Sequence, residues 1–232
     1  MIAKEVYIKK LETRDGYDIW LVDGARIRKD VDENFVEYDH NGRFRFIPAH
    51  ELWIDQEMPE KEYALFIERM FKELGFIKEG LSPLDAAHKA DTFETDARRN
   101  GARIKKLLLD QNQNTIREKI HKKKLAEWSN EFVSVWLVDG TLVRGCCDIV
   151  YSEGGHDIVY PWIPKGEIWI EESLDAAERT FIILHELHER ALMQQGMSYP
   201  DAHHGATIVE DKFREHPEGL EERIKEELAK NK

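Results

Sequence analysis

The chain has 232 residues, 41% of them hydrophobic, 34% charged and 10% aromatic: enough apolar material for one large core or two small ones, and too much for disorder. Its 34 Lys and Arg against 46 Asp and Glu leave a formal charge of −12, so diffuse electrostatics repel nucleic acid and anionic membrane. The longest apolar runs, such as Phe181 to Leu184, fall far short of the roughly 20 residues that a membrane-spanning helix needs.

The first ten residues carry Lys4, Glu5, Lys9 and Lys10 and no long apolar stretch follows, so no secretory signal is expected. The only two cysteines, Cys146 and Cys147, are adjacent and poorly placed to bridge each other. A reducing, cytoplasmic setting is the expectation, with buried or incidental thiols.

Shifting the chain by 116 residues aligns positions 19 to 99 with 135 to 215 without a gap, and 25 of the 81 pairs are identical. Chance would give about five. The anchors include Trp20 to Gly24 against Trp136 to Gly140; Pro48, Glu51, Trp53 and Ile54 against Pro164, Glu167, Trp169 and Ile170; and Gly80, Ser82, Asp85 and Ala86 against Gly196, Ser198, Asp201 and Ala202. Two homologous domains in tandem follow, residues 1–110 and 131–232, joined by a basic helical segment, 111–130. The matched tryptophans, and His40 with His156, read as core.

In chain order, each copy opens with short β-type runs. The Asp-Gly pairs at 23–24 and 139–140 read as hairpin turns, so a small antiparallel sheet is expected, closing with Glu51 to Ile54 or Glu167 to Ile170. The spacing then becomes helical, through Ala64, Leu65, Ile67, Phe71 and Leu74 in one copy and Phe181, Ile182, Leu184, Leu187 and Leu192 in the other. Gly80 and Gly196 are suited to left-handed stops, and Ser82 and Ser198 to N-caps of a second helix, with Pro83 at its first position. In copy one this helix is expected to run toward Leu109, with another from about Asn114 to Trp128 carrying the lysine cluster. The fold class is α+β: two tandem domains, each a small antiparallel sheet followed by a helical hairpin.

Chemistry is sought where the copies differ. Copy two carries His185, Glu186, Leu187, His188 and Glu189, an HExxE run in its first helix. Residues i and i+4 share a helix face, so His185 and Glu189 can reach one metal while Glu186 lies beside it. The tight turn at Gly196 to Pro200 returns the next helix, which bears His203 and His204. Copy one has Arg69, Met70 and Ala87 where copy two has His185, Glu186 and His203, but keeps Glu73 and His88 as partners of Glu189 and His204. That pattern selects His185, Glu189 and His203 as ligands, Glu186 as the catalytic base, and His188, Tyr199, His204 and Glu210 as surrounding side chains.

Residues 178 to 206 resemble the motif of the zincin-type metallopeptidases, HExxH, with the second ligand changed to a carboxylate, itself an ordinary zinc ligand. The resemblance implies a sheet beside the motif helix whose edge strand receives an extended peptide, and a base that takes a proton from metal-activated water. The duplicated chain also resembles uncharacterised small proteins of phages and bacteria with a similar helix pair.

Copy two thus reads as a zinc (or other divalent-metal) hydrolase of peptides or proteins, with copy one as scaffold. The competing reading is a non-enzymatic, acidic two-domain binding or inhibitor protein, of phage origin, holding a structural metal or none. No membrane partner is expected, and nucleic acid only through the basic segment.

Overall fold

In the computed structural model, which describes residues 4–32, 34–109 and 113–232, the first chain reversal falls at Asp15–Gly16, both with positive φ. They link strands β1 (Tyr7–Arg14) and β2 (Tyr17–Val22) as an antiparallel hairpin, the conformation that Asp-Gly turns favour. The Asp-Gly pair at 23–24, expected to be a hairpin, instead opens helix α1 (Gly24–Asp30), and the Asp23 carboxylate accepts the Arg26 N–H at 2.9 Å.

The reason lies in the strand that follows. After β3 (Tyr38–His40), β4 (Glu51–Asp55) pairs parallel to β2 and antiparallel to β3, giving the order β1-β2-β4-β3. A parallel partner requires a crossover, so the chain leaving β2 cannot turn straight back. The sheet is therefore mixed, with antiparallel outer pairs and a parallel centre. Gly24 also lies against β4: a Cβ there would fall 1.7 Å from Asp55 Oδ2.

Helices α2 (Tyr63–Lys78), α3 (Pro83–Asn100) and α4 (Ala102–Leu109) follow. Gly80, at φ +98°, makes the left-handed stop after α2, and the Ser82 hydroxyl accepts the Asp85 N–H as the N-cap of α3. The expected run from Pro83 to Leu109 is divided at Gly101. Leu52 and Ile54 bury one face of β4 against Phe66, Ile67 and Met70 of α2; Trp53 buries the other with Phe35, Phe44 and Ile47.

The second half repeats the plan, with α5 (Gln113–Ile120), β5 (His121–Lys124), β6 (Ser134–Val138), α6 (Gly140–Cys146), β7 (Gly154–His156), β8 (Glu167–Glu171), α7 (Ala176–Gln194), α8 (Tyr199–Glu215) and α9 (Leu220–Lys230). The strand order is β5-β6-β8-β7, again with only β6 and β8 parallel. Here too the Asp-Gly pair starts a helix, with Asp139 accepting the Leu142 N–H. The helix expected to reach Trp128 ends at Ile120, where the lysine run becomes an edge strand. Ile120 and Leu125 are buried at its two ends, and lysines on an edge discourage further strand pairing. The expected junction between residues 110 and 111 lies outside the described residues.

By contacts the chain forms two units: Met1–Asp110 with Arg144–Ile149, and Gln111–Val143 with Val150–Lys232. No described helix is long and apolar enough to cross a membrane. In the first unit Arg144 and Arg98 both bond the buried Glu62. Burial alone would raise the Glu62 pKa, but the two guanidiniums outweigh it and hold the carboxyl down to about 2.

A folded-state pKa below the ordinary value stabilises the fold above that value and ceases to do so as pH falls through the folded one. Urea unfolding should therefore show this group's contribution, on the order of 3 kcal/mol, intact above pH 5 and lost progressively between about pH 4.5 and 2. Glu62→Gln should flatten that segment of the profile; an unchanged slope would remove Glu62 as its source.

Candidate metal centre

Helix α7 begins at an Asp175 cap that accepts the N–H groups of Ala177 and Glu178, and Ile182, Ile183, Leu184 and Leu187 bury its inner face. That packing fixes the rotation of the helix and places His185 and Glu189, one turn apart, toward α8. Gly196 at φ +92° ends the turn after α7; Ser198 caps α8 by position, its hydroxyl donating to Asp201. Small residues at Ala202 and Ala206, both fully buried, fit α8 closely against α7 and bring His203 alongside.

Three ligand atoms meet there. His203 Nδ1 stands 2.8 Å from Glu189 Oε2, His185 Nε2 stands 3.1 Å from His203 Nδ1, and His185 Nε2 stands 3.5 Å from Glu189 Oε2. A tetrahedral ion with bonds of about 2.0–2.1 Å spaces its ligands by about 3.3 Å, so this triangle matches one face of such a site. His185 and Glu189 are buried while the His203 side chain is 49% exposed, which opens the fourth direction toward solvent.

The atoms behind the triangle fix its chemistry. The other oxygen of Glu189 lies 3.0 Å from His156 Nε2. His156 Nδ1 accepts the Ile158 N–H at 3.2 Å, so its proton sits on Nε2 and is donated to Glu189. The grouping of His156, Glu186 and Glu189 within ligand distance is on that account a hydrogen-bonded support and not a second metal site, because a neutral imidazole has one proton and one lone pair.

His185 Nδ1 lies 2.7 Å from Glu210 Oε2, and Arg214 holds the other Glu210 oxygen at 2.7 Å while also bonding Glu178. A carboxylate on the far nitrogen sets a histidine's tautomer and aims the near lone pair at a metal. Without an ion, the same carboxylates draw in a proton. Burial would lower the His185 pKa, but Glu189 and Glu210 raise it to about 10. Glu210 is held down to about 2 against burial by His185 and Arg214, and Glu189 lies far below the carboxylate range because three imidazoles face it.

Glu186 is buried one residue along from His185. Desolvation and the Glu189 charge push its carboxyl up to about 8, a range suited to accepting and releasing protons near neutrality. Tyr199 opens α8 with its ring 5.6 Å from that of His203. Burial, Glu189 and Glu186 raise its hydroxyl pKa, keeping it a hydrogen-bond donor.

The other two sequence candidates lie elsewhere. His188 Nδ1 is 3.1 Å from Glu227 Oε2 on α9, so it braces α9 against α7. His204 is exposed on α8, as its counterpart His88 is on α3. His156, Arg214 and Glu178 were missed as parts of the site because each is matched in copy one, and matching marks framework.

Copy one shows what the framework requires. Its His40 Nδ1 accepts the Gly42 N–H, and His40 Nε2 stands 3.6 Å from Glu73; Arg98 joins Glu94 to Glu62 as Arg214 joins Glu210 to Glu178. Where copy two has the triangle of His185, Glu189 and His203, Arg69 bonds Glu73 and reaches across to Asp91 on α3 at 2.6 Å. Arg69 is buried, not an exposed helix pair. Its loss in Arg69→Ala should therefore cost about 3–5 kcal/mol in equilibrium unfolding, the range for stranding a buried charge; a loss under 1 kcal/mol would show that Glu73 does not depend on it.

In the second unit, elemental analysis of protein prepared without a metal-binding tag should find about one divalent ion per chain. His185→Ala and His203→Ala should lose it and His88→Ala should keep it. Glu210→Gln should weaken binding by about 10–100-fold. Folded protein free of metal under loading conditions would rule the centre out.

No family model, no curated protein and no solved structure matches the chain. The chemistry of the site has to come from its own donor atoms.

Proposed function

We propose that the second unit is a metal-dependent hydrolase, a zinc peptidase in class. The observation that carries this is the convergence of His185 Nε2, Glu189 Oε2 and His203 Nδ1 at 2.8–3.5 Å from one another, with buried Glu186 beside them. Two imidazoles and one carboxylate, with a side open to solvent, are the donor set of catalytic rather than structural zinc. Zinc held there would supply Lewis acidity, lowering the pKa of a coordinated water and polarising a scissile carbonyl.

The protein's own groups do the rest. Glu186 takes the proton of the attacking water and hands it to the leaving amine, work for which a raised carboxyl pKa is matched. Tyr199, at the exposed rim, donates a hydrogen bond to the carbonyl oxygen as negative charge develops on it. His156 and Glu210 hold Glu189 and His185 so that neither has to reorganise during the reaction.

A second reading is favoured by one observation, the Arg69–Asp91 pair between α2 and α3. The hairpin of copy one is tied by a cation, and a metal bound by α7 and α8 would tie copy two in the same way with no turnover, as suits a non-enzymatic binding or inhibitor protein.

Glu186→Gln separates the two, since the amide cannot accept a proton but leaves the three ligands intact. It should retain the metal and lower chelator-sensitive hydrolysis of an unstructured protein such as casein by about 10²–10⁴-fold. Unaltered hydrolysis would remove Glu186 as the base. Metal-loaded wild-type protein that never hydrolyses such substrates, yet loses thermal stability on chelation, would leave the tie between helices as the metal's role.

A further inference from the structure

One exchange between the copies lies outside the helix motif. At the first position of the short edge strand, copy one has Tyr38 and copy two has Gly154, paired in the same register with Ile54 and Ile170 respectively. Tyr38 stacks on Phe66 with ring centroids 4.2 Å apart, and its hydroxyl donates to Glu94 Oε2 at 2.7 Å. Glu94 is the counterpart of Glu210, whose Oε2 in copy two receives His185 instead. Both copies fill the other oxygen of that carboxylate with an arginine. The tyrosine hydroxyl and the histidine N–H thus use the same oxygen in the two copies, and a tyrosine at position 154 would bring a second donor to the carboxylate that orients His185.

The missing side chain also makes room for the base. A Cβ on Gly154 would lie 2.7 Å from Ile182 Cγ2, 2.9 Å from Glu186 Oε1 and 3.1 Å from Glu186 Cγ. Ile182 is buried in the core and stiff at χ1, so a methyl group there is accommodated by moving Glu186, α7 or both. Copy one has Tyr38 at the corresponding place, packed against the apolar cluster that includes Phe66 and Met70.

We infer that Gly154 is a positioning residue of the metal centre: its lack of a side chain frees Glu210 to orient His185 and seats Glu186 against β7. Conversion of a copy-one site into a copy-two site takes Tyr38→Gly as well as exchanges on the helices. The inference rests on the metal-centre reading above but not on catalysis, because its primary readout is metal binding.

The test is titration of the full chain with cobalt(II), followed by its visible absorption. Gly154→Ala should weaken binding by at least about tenfold and depress hydrolysis further than binding, since α7 carries both ligands and base. Adding Glu186→Asp, which withdraws the carboxylate by one methylene, should restore affinity and part of the thermal stability lost in Gly154→Ala. In copy one, Arg69→His with Ala87→His should gain a second cobalt site at least about tenfold tighter when Tyr38→Gly is added, because Glu94 is then free to orient the new histidine.

Wild-type affinity and hydrolysis in Gly154→Ala would overturn the inference, as would equal second-site affinity with and without Tyr38→Gly. Should the triple variant fail to fold, the Gly154→Ala comparison with and without Glu186→Asp decides alone: purely additive losses would overturn it and recovery would support it. Wild-type protein that binds no cobalt would instead remove the metal-centre reading itself.

Discussion

A buried carboxylate on the first long helix of each unit must have a cation beside it, and much of each helical layer is arranged around that requirement. Glu73 and Glu189 are both nearly sequestered from water, and an isolated carboxylate in such a place is strongly disfavoured. Each has a histidine of the edge strand on its sheet side, whose tautomer a backbone N–H fixes: His156 Nε2 lies 3.0 Å from Glu189 and His40 Nε2 3.6 Å from Glu73. One oxygen faces that histidine, and the other faces the second helix of the hairpin. Copy one meets it with a guanidinium; copy two meets it with two imidazoles, which satisfy it only when a proton or a metal ion lies among them.

The second carboxylate array, Glu94 with Arg98 and Glu62 or Glu210 with Arg214 and Glu178, supplies a rigid anion behind that cation. Its role differs between copies because the group in front differs. In copy one the free oxygen of Glu94 accepts a tyrosine hydroxyl, and the arrangement is an ion-pair core closed to further ligands. In copy two the free oxygen of Glu210 accepts an imidazole N–H, and the opposite ring nitrogen faces His203 and Glu189. The same scaffold yields an ion-pair core or a candidate metal centre through a few side-chain exchanges, and a proton and a metal are alternatives in copy two because they satisfy the same charge.

Much of this was legible in the chain. The 116-residue repeat predicted two α+β domains, and the change from alternating to helical periodicity located β4, β8, α2 and α7. The comparison of Arg69 and Ala87 with His185 and His203, together with the one-turn spacing of His185 and Glu189, singled out the three side chains that the hairpin brings together. The framework around them was not legible. His156, Arg214 and Glu178 are the same in both copies, so the contrast that exposed His185 and His203 hid them.

The sequence by itself determined whatever depends on local chemistry: the glycine stops, the serine caps, the helix face shared by His185 and Glu189, and the pairing of one copy's residues with the other's. Tertiary structure decided whatever depends on which strands are neighbours. Asp-Gly has the same local preferences at 15–16 and at 23–24, yet one pair closes a hairpin and the other starts a helix, because β2 pairs antiparallel with β1 and parallel with β4. The lysine run at 122–124 became an edge strand for the same kind of reason, through its pairing with β6. Only packing across β7 and α7 gave a glycine on one element a bearing on a carboxylate of the other, since a clash between residues more than thirty positions apart has no signature in either local sequence.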